Sequence, residues 1–320
     1  LDRADCEASW EIVVVDNGST DGSGAWLADQ EAAGRLTVLG PGENLGFAAG
    51  CNAGAALARG RHLVFLNNDT EVTPGWLDPL VTPADRDPAV HAVGGKLLYP
   101  DGTIQHAGVA LVDVERGDAT VLEGIHLGHH KPAGYPGANR PQRLQVCTAA
   151  CLLVRREVFT SLGGFDTGYW NGNEDVDLCL RIGEAGGLVV YRPECVVIHH
   201  ESRSGPERWT RAAENVARLN ARWQGRAQAD FRRAADGTVA ATGAGRIGLY
   251  TSPVVRLGAP SGTDTVSVIV LTWNALAYTR LCADALLRHT DPRHELLFVD
   301  NGSERDTLAY LDGLEAAHPQ

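Results

Sequence analysis

A segment near the start of the chain recurs near its end, and this repeat limits what the chain can fold into. WEIVVVDNGSTDGSGAWLADQEAA, which begins at Trp10, returns as HELLFVDNGSERDTLAYLDGLEAA, which begins at His294. The interval is too long for a solenoid unit and fits a domain with its linker. We therefore expect a tandem, with residues 1–225 as a first domain, 226–264 as a linker and 265–320 as the first β-α-β segment of a second copy.

The second copy also shows what should precede the repeated strand. Residues 265–290 read as a buried strand, a polar turn and an amphipathic helix, and the first copy begins without such a unit. The 320 residues contain no methionine, which further indicates a fragment. We expect the domain of residues 1–225 to lack its first strand and helix.

A missing strand of this kind would leave a gap in the middle of the sheet. The gap would lie between Ile12–Val15 and Leu63–Leu66, with two rows of backbone groups unpaired in the core. We therefore predict that Val266–Leu271 inserts there. The strand that follows it, Leu296–Val299, must then displace Ile12–Val15 or lie at the periphery.

Strand and helix patterns alternate between residues 11 and 69, which predicts an α/β fold. Short apolar runs followed by helices of about ten residues indicate a mixed, mainly parallel sheet flanked by helices. Ligands bind such sheets at the carboxyl ends of their strands. Two polar clusters, Asp16-Asn17 and Asn67-Asn68-Asp69, follow strands and are expected at that edge. Residues 89–154 read as hairpins, with a flexible loop between them that carries His126, His129 and His130.

Composition and charge exclude several classes of function. Acidic residues outnumber basic ones by 40 to 28 and no Lys/Arg block stands out, so nucleic acid is not an expected partner. No apolar run reaches about 18 residues, and the first residues lack the plan of a signal peptide, so we expect a cytoplasmic protein without a transmembrane segment. The seven cysteines never form C-x-x-C, and neither a zinc site nor a disulfide framework is predicted.

Four motifs have side chains that suit chemistry, and each also has an ordinary structural explanation. Asp69, at the tip of a buried strand, can ligate Mg²⁺ or Mn²⁺ or belong to an Asx-rich turn. Glu174 and Asp175 can act as general bases or simply favour the start of a helix. His199, at a strand end, can bind a metal or lie on the surface. The glycine-rich run from Gly42 suits a phosphate site, but it is not G-x-G-x-x-G and does not indicate hydride transfer.

Taken together and in this order, these segments resemble the family-2 glycosyltransferases, particularly the bacterial rhamnosyltransferase-like members that build surface polysaccharides. The matching stretches are VSVIVLTWN in the second copy, then EIVVVDNGSTDG, NLGFAAGCNAG, LVFLNNDTEVTPGWL, GGFDTGYWNGNEDVDLCLRIGEAG, YRPECVVIHHESRS and ENVARLNARW. The resemblance implies a GT-A fold, a nucleotide-diphospho-sugar donor, a divalent cation (Mg²⁺ or Mn²⁺) and a saccharide or lipid-linked saccharide acceptor.

The resemblance also assigns roles to individual residues. Asp175 matches the catalytic base, with Glu174 beside it. Asp69 matches the metal-binding carboxylate, and His199 matches the histidine that completes the metal site. Asn67 stands where a strict D-x-D motif has aspartate. The residues that the resemblance places around the nucleotide are Asp16, Asn17, Asn44, Gly46, Asn52 and Asn68, and Trp170 and Asn173 lie on a segment expected to meet the acceptor.

We therefore predict an inverting glycosyltransferase that moves a sugar from a nucleotide-diphosphate donor to a saccharide acceptor in surface polysaccharide or glycoconjugate synthesis. One alternative is a non-catalytic sugar-nucleotide-binding or scaffolding domain of a tandem enzyme, and the isolated fragment is inactive if its first strand is essential. Another is a nucleotidyltransferase, which would need a glycine-rich signature with a basic residue after the first strand. VLTWNALAYT has neither. The expected location is the cytoplasm, with peripheral association at the inner face of the membrane as an option for the full-length protein.

Overall fold

The structure of the protein is a computed structural model that describes residues 9–11, 13–16, 23–33, 37–40, 42–201, 210–251, 265–272, 281–282, 285–286, 288–289 and 295–300. Its strands are β1 (Ser9–Glu11), β2 (Val13–Val15), β3 (Thr37–Leu39), β4 (His62–Asn67), β5 (Thr70–Val72), β6 (Val90–Leu98), β7 (Ile104–His106), β8 (Val109–Arg116), β9 (Ala119–His126), β10 (Gln142–Leu144), β11 (Cys151–Arg155), β12 (Leu188–His199), β13 (Phe231–Arg233), β14 (Val239–Ala241), β15 (Gly248–Leu249), β16 (Thr265–Thr272) and β17 (Glu295–Asp300). Its α-helices are α1 (Ser23–Ala32), α2 (Gly46–Leu57), α3 (Asp78–Arg86), α4 (Arg156–Ser161), α5 (Glu174–Glu184) and α6 (Ala212–Trp223), and Pro136–Ala138 form a 3₁₀ turn.

The large sheet is mixed. Its strand order is β1-β16-β4-β11-β6-β12-β10-β15, with β17, β5 and β7 paired to β16, β12 and β6. β1, β16 and β4 run parallel, as do β6 and β12, whereas β11 is antiparallel to both β4 and β6. Helix α2 packs on β2, and α3 packs on β6. The predicted α/β fold with a helix-flanked mixed sheet is confirmed, and its antiparallel share is larger than expected because β11 returns between β4 and β6.

The C-terminal strand β16 enters the sheet where the sequence predicts a gap. Val266 pairs with Trp10 of β1 on one side and with His62 of β4 on the other. The predicted insertion of β16 beside β4 is therefore confirmed. On its other side, β16 pairs with β1 and not with the segment that follows β1 in the chain. Ser267–Thr272 pair with β17, while β2 pairs with β3. β17 thus takes the pairing that the strand after Trp10 was expected to make, and Ile12 lies outside the described residues.

The segment expected to be a linker is structured over its described part. Within residues 226–251, β13 pairs with β8 in a second sheet of order β14-β13-β8-β9, and β15 pairs with β10. The buried Asp230 carboxylate accepts hydrogen bonds from the backbone N–H of Leu111 at 2.9 Å and of Arg246 at 3.0 Å. The weak periodicity of these small residues does not indicate the short strands, whose backbone groups pair with β8 and β10. Residues 252–264 lie outside the described part.

Apolar side chains of β4 and β11 form the centre of the core. Leu63–Leu66 and Leu152–Val154 are at most 2% exposed. The Phe65 ring contacts the rings of Phe159 and Phe165, with centroids 5.0 and 4.9 Å apart. Offset and edge-on aromatic packing of this kind stabilises a core beyond its buried area. The polar residues that follow β4 are therefore attached to a strand that the core holds in place.

Helix α5 is anchored by a buried ion pair. Asp177 is 0% exposed, and Arg181 Nε donates to its Oδ2 at 2.7 Å while Trp223 Nε1 donates to its Oδ1 at 2.8 Å. The Arg181 guanidinium also donates to the carbonyl oxygens of Leu162 and Gly164. A buried charge needs such partners, so these bonds fix the start of α5 relative to α6 and the preceding turn. Among the described residues, no helix is both long and apolar enough to cross a lipid bilayer.

Candidate active site

Two strands of the large sheet bring polar residues to one edge. β4 and β12 run in the same direction, because β11 is antiparallel to β4 and β6 while β6 and β12 are parallel. β4 ends at Asn67 and β12 ends at His199, so their carboxyl ends face the same side. This is the edge at which ligands bind in sheets of this kind.

The structure brings Asp69 and His199 into contact at that edge. His199 Nε2 lies 3.0 Å from Asp69 Oδ1, and both residues are buried. Asn67 Nδ2 lies 3.4 Å from the same ring nitrogen. The neighbouring His200 instead contacts Glu71, with 2.5 Å between Nε2 and Oε1. The two adjacent histidines thus have different carboxylate partners.

The Asp69 and His199 side chains fit a divalent cation as a partial ligand set. A carboxylate oxygen and an imidazole nitrogen are both donors that Mn²⁺ accepts, and the oxygen suits Mg²⁺. Within the described ranges no group of three or more His, Cys, Asp or Glu side chains is arranged to hold an ion. The protein would therefore supply two ligands and leave the remaining positions to phosphate oxygens and water.

Asn68 offers a second indication of a ligand at this place. Its side chain is 7% exposed, and its Nδ2 has no hydrogen-bond partner in the part of the chain that the structure describes. A buried amide donor without a partner is costly, and native proteins rarely keep one without a bound ligand or water. The amide of Asn68 therefore suits an acceptor oxygen of a bound molecule.

Asp175 is held at the start of α5 by two backbone donors. Its Oδ2 accepts from the N–H of Ala149 at 3.0 Å, and its Oδ1 accepts from the N–H of Val176 at 2.8 Å. The residue is half-buried. The Asn67 N–H donates to the carbonyl oxygen of Ala150 at 3.1 Å. The backbone of residues 149–150 therefore links the candidate base to the segment that carries the candidate metal ligand.

Glu174 is turned toward its own loop. Its Oε2 accepts from the N–H of Gly172 at 2.6 Å, and its side chain is buried. The preceding Asn171 and Asn173 have φ angles of 50° and 71°, which non-glycine residues seldom adopt. Such backbone strain concentrates at functional sites. The contacts favour Asp175 over Glu174 as the group that meets a substrate.

The loop that begins α2 packs against the segment before α5. Gly46 has a φ of 76°, and a Cβ there would come within 2.9 Å of the Trp170 ring. Asn44 Oδ1 accepts from the Gly46 N–H at 2.8 Å, and Asn171 Oδ1 accepts from the Phe47 N–H at 2.9 Å. The Arg211 guanidinium covers the Trp170 ring at 5.2 Å from its centroid. Glycine is needed at position 46 both for the backbone angle and for the close approach of the ring.

The other residues assigned to the nucleotide differ in their surroundings. Asn52 spans from α2 to Phe165, donating to its carbonyl oxygen and accepting from its N–H, each at 2.8 Å. This side chain joins α2 to the turn before α5. Asp16 is buried directly after β2, and its N–H donates to Leu39 O at 2.6 Å. Asn17 lies outside the described residues.

Sequence reasoning missed two residues on β7. Gln105 is 3% exposed, and its Oε1 lies 2.6 Å from His199 Nδ1. His106 is fully buried, and its ring lies edge-on to that of His126 with centroids 4.9 Å apart. Burial lowers the pKa of His106 well below its usual value, and the charges of His126 and His199 lower it further. A three-residue strand has no pattern that would have marked these side chains.

A protein-family model and several known proteins match this chain. Residues 3–163 and 267–320 match the model of Glycosyl transferase family 2. The O-antigen biosynthesis protein RfbC of Myxococcus xanthus is 40% identical over 201 residues, which make up 61% of this chain and 15% of that protein. The N-acetylglucosaminyl-diphospho-decaprenol L-rhamnosyltransferase of Mycobacterium tuberculosis (strain H37Rv) is 33% identical over 214 residues, which make up 60% of this chain and 67% of that protein.

Other matches extend to longer proteins and to a solved structure. Protein y4gI of Sinorhizobium fredii is 35% identical over 227 residues, and the match spans 68% of this chain but 24% of y4gI. A crystal structure of GalNAc-T7 with UDP, GalNAc and Mn²⁺ is 20% identical, with a TM-score of 0.49 over 68% of this chain and 42% of that one. The family model covers most of the chain, including both copies of the repeated strand, and the chain therefore belongs to glycosyl transferase family 2.

Proposed function

We propose that this chain is the sugar-transferring part of an inverting glycosyltransferase that uses a nucleotide-diphospho-sugar. The observation that carries the proposal is the placement of Asp69, His199 and Asn68 at one sheet edge, where Asn68 Nδ2 has no partner among the described residues. Asp175 is joined to that edge through residues 149–150. The site thus combines a place for a diphosphate with a carboxylate base.

The proposed roles follow from the contacts of each side chain. Asp69 and His199 would hold a divalent cation (Mg²⁺ or Mn²⁺), and a cation bound there would supply positive charge beside the diphosphate. The Asn68 amide donates to an oxygen of the donor. Asp16, Asn17, Asn44 and Gly46 are assigned to the nucleotide by the resemblance. Asn52 supports this loop through its two bonds to Phe165.

Asp175 acts on the acceptor. It removes the proton from the attacking hydroxyl as that oxygen approaches the anomeric carbon. The two backbone N–H groups that contact its oxygens orient the carboxylate for this step. Glu174 shapes the loop beside it through Gly172.

The substrate class is proposed from the relatives. One of them is an O-antigen biosynthesis protein and another is a rhamnosyltransferase that acts on a diphospho-decaprenol saccharide, as their names state. We propose that this protein likewise extends a saccharide or lipid-linked saccharide in polysaccharide or glycoconjugate synthesis. The tandem division at residues 225 and 265, the cytoplasmic location and peripheral membrane association stay predictions.

Donor hydrolysis tests the proposal directly. The 320-residue chain is incubated with a panel of sugar nucleotides, with Mn²⁺ or with EDTA, and the released nucleoside diphosphate is measured. We expect hydrolysis of one donor class that requires the cation and is lost in Asp69→Asn. The exposed Asp118→Asn in the β8–β9 turn is the matched control and should keep full hydrolysis. Hydrolysis that EDTA does not affect would reject the cation, and a chain that neither binds nor hydrolyses any sugar nucleotide would reject the function.

A further inference from the structure

Gln105 lies between the candidate metal ligand and a carboxylate. It is the middle residue of β7, which is held antiparallel to β6 through the pairs Leu97 with His106 and Leu98 with Ile104. The Gln105 side chain is 3% exposed and bridges His199 and Glu201. A strand-borne, buried side chain of this kind has a fixed direction.

The orientation of the Gln105 amide follows from its two partners. Its Nε2 donates to Glu201 Oε2 at 3.2 Å, and a carboxylate can only accept. The amide oxygen Oε1 must then face His199 Nδ1, from which it lies 2.6 Å. Since Oε1 is an acceptor, Nδ1 carries the hydrogen. Glu201 is itself held by the hydroxyl of Tyr99, which donates to the same Oε2 at 2.9 Å.

The tautomer of His199 determines what its other nitrogen offers. With the hydrogen on Nδ1, the neutral ring presents a lone pair at Nε2, and this atom lies 3.0 Å from Asp69 Oδ1. Asn67 Nδ2 lies 3.4 Å from the same nitrogen. Two acceptor atoms as close as Nε2 and Asp69 Oδ1 repel one another unless a proton or a metal cation lies between them. Metal-ligating histidines commonly donate their other N–H to an acceptor that fixes the ring.

We propose that Gln105 is a positioning residue that holds His199 in the Nδ1–H tautomer, so that Nε2 and Asp69 share a divalent cation, and that Glu201 keeps the Gln105 amide in this orientation. This inference rests on the proposed function for the cation itself. It goes beyond that function because Gln105 and Glu201 lie outside the proposed set of cation ligands. They act through the orientation and tautomer of His199.

Mn²⁺ binding to matched variants tests the proposal. Gln105→Leu removes the acceptor for the His199 N–H. We expect the affinity for Mn²⁺ to fall by about 10- to 100-fold. The EPR signal of Mn²⁺ measures this affinity, both with Mn²⁺ alone and with UDP present. Gln145→Leu is the control, because Gln145 is also buried but bonds to Gln228 and Asp230 away from the site. It should keep the wild-type affinity.

The exchanged pair is the rescue. In Gln105→Glu combined with Glu201→Gln, the carboxylate accepts from His199 and the new amide donates to it. We expect Mn²⁺ affinity within about threefold of the wild type, since the outer partner of the ligand is restored. A purely structural role for Gln105 would instead show equal losses of thermal stability in Gln105→Leu and Gln145→Leu with unchanged Mn²⁺ affinity, and this result would overturn the proposal.

A second measurement separates this proposal from the cation assignment. ¹⁵N-histidine NMR spectra of the metal-free protein report the tautomer, and comparison with His199→Gln identifies the His199 signals. We expect Nδ1–H in the wild type and loss of that preference in Gln105→Leu. If the wild type binds no Mn²⁺ but the tautomer changes, the cation fails and the positioning role stands. An identical tautomer in both proteins rejects the positioning role.

Discussion

At the scale of single residues, Asp175 and Asp69 have separable tasks that substitution distinguishes. Asp175→Asn keeps the size of the side chain and removes its basicity, so transfer should fall by about 10²- to 10⁴-fold. Nucleoside diphosphate affinity should stay nearly unchanged, because Asp175 contacts the backbone of residues 149 and 176 and not the Asp69 and His199 pair. Turnover and calorimetric binding measured on the same protein check this. Equal loss of both would show that the residue only supports the start of α5.

Asp69→Ala should have the opposite signature. It removes one of the two proposed cation ligands beside His199, so the rate with Mn²⁺ should fall at least about 100-fold and nucleotide affinity should weaken. The remaining affinity should no longer differ between Mn²⁺ and EDTA. Binding measured under both conditions is the check. A variant that still responds to Mn²⁺ would place the cation elsewhere.

The sequence indicates these acidic residues because each follows or begins a regular element with a recognisable pattern. Asp69 and His199 are 130 positions apart along the chain, and their contact comes from strand order, which residue patterns do not specify. Gln105 could not be found in advance, because a single amide in a three-residue strand resembles any polar residue. The sequence also contains no sign that Asn52 bonds to Phe165, and its assignment to the nucleotide stays a prediction.

At the scale of elements, the start of α2 depends on a glycine for two reasons that a matched pair separates. Gly46 and Gly42 both have positive φ angles, 76° and 80°, but only a Cβ at Gly46 would meet a ring, that of Trp170. Gly42→Ala should cost about 1–2 kcal/mol of stability from the backbone angle. Gly46→Ala should cost more and should also weaken nucleotide binding, because the ring must move. Denaturant unfolding and nucleotide titration of both variants test this, and equal effects would contradict it.

The buried histidine of β7 makes stability depend on pH. Burial lowers the pKa of His106 in the folded protein, whereas the unfolded chain has a value of about 6.5. Below that value the unfolded chain binds a proton that the folded protein excludes, so stability is lost as pH falls. Between pH 7 and 5 the wild type should lose about 2 kcal/mol more than His106→Gln. Denaturant midpoints at several pH values measure the difference, and parallel curves for the two proteins would contradict the assignment.

Helix α6 shows why the buried face of a helix is harder to predict from the sequence than the helix itself. Trp209, Ala213, Val216, Leu219 and Trp223 have the spacing of one apolar helix face, which predicts that Val216 is buried. In the structure Val216 is 39% exposed, and Asn215 is buried. Asn215 Oδ1 accepts from the N–H of Trp170, and its Nδ2 donates to the carbonyl oxygen of the same residue. A polar side chain can face inward when it forms hydrogen bonds with a buried peptide group. The spacing of apolar residues does not indicate such a position.

At the scale of the whole molecule, the large sheet includes two strands from the last part of the chain, β16 and β17. A chain ending at Thr251 lacks both, and the edge of β4 that faces β16 at His62 would be open. We expect this shortened chain to lose cooperative unfolding and to exchange the amide hydrogens of His62–Asn67 much faster than the full chain, because open strand edges leave backbone groups unpaired. Hydrogen exchange with mass spectrometry measures this. An unchanged unfolding midpoint would show that β16 is dispensable.

The entry of β16 into the sheet bears on how a gene for such a protein can change. Thr265–Thr272 stand before the second DNGS segment, and Val266 pairs with His62 of β4. A crossover between the two stretches that encode DNGS would add or delete everything between them. Because β4 and β16 both lie between these stretches, such an exchange would move the two paired strands together.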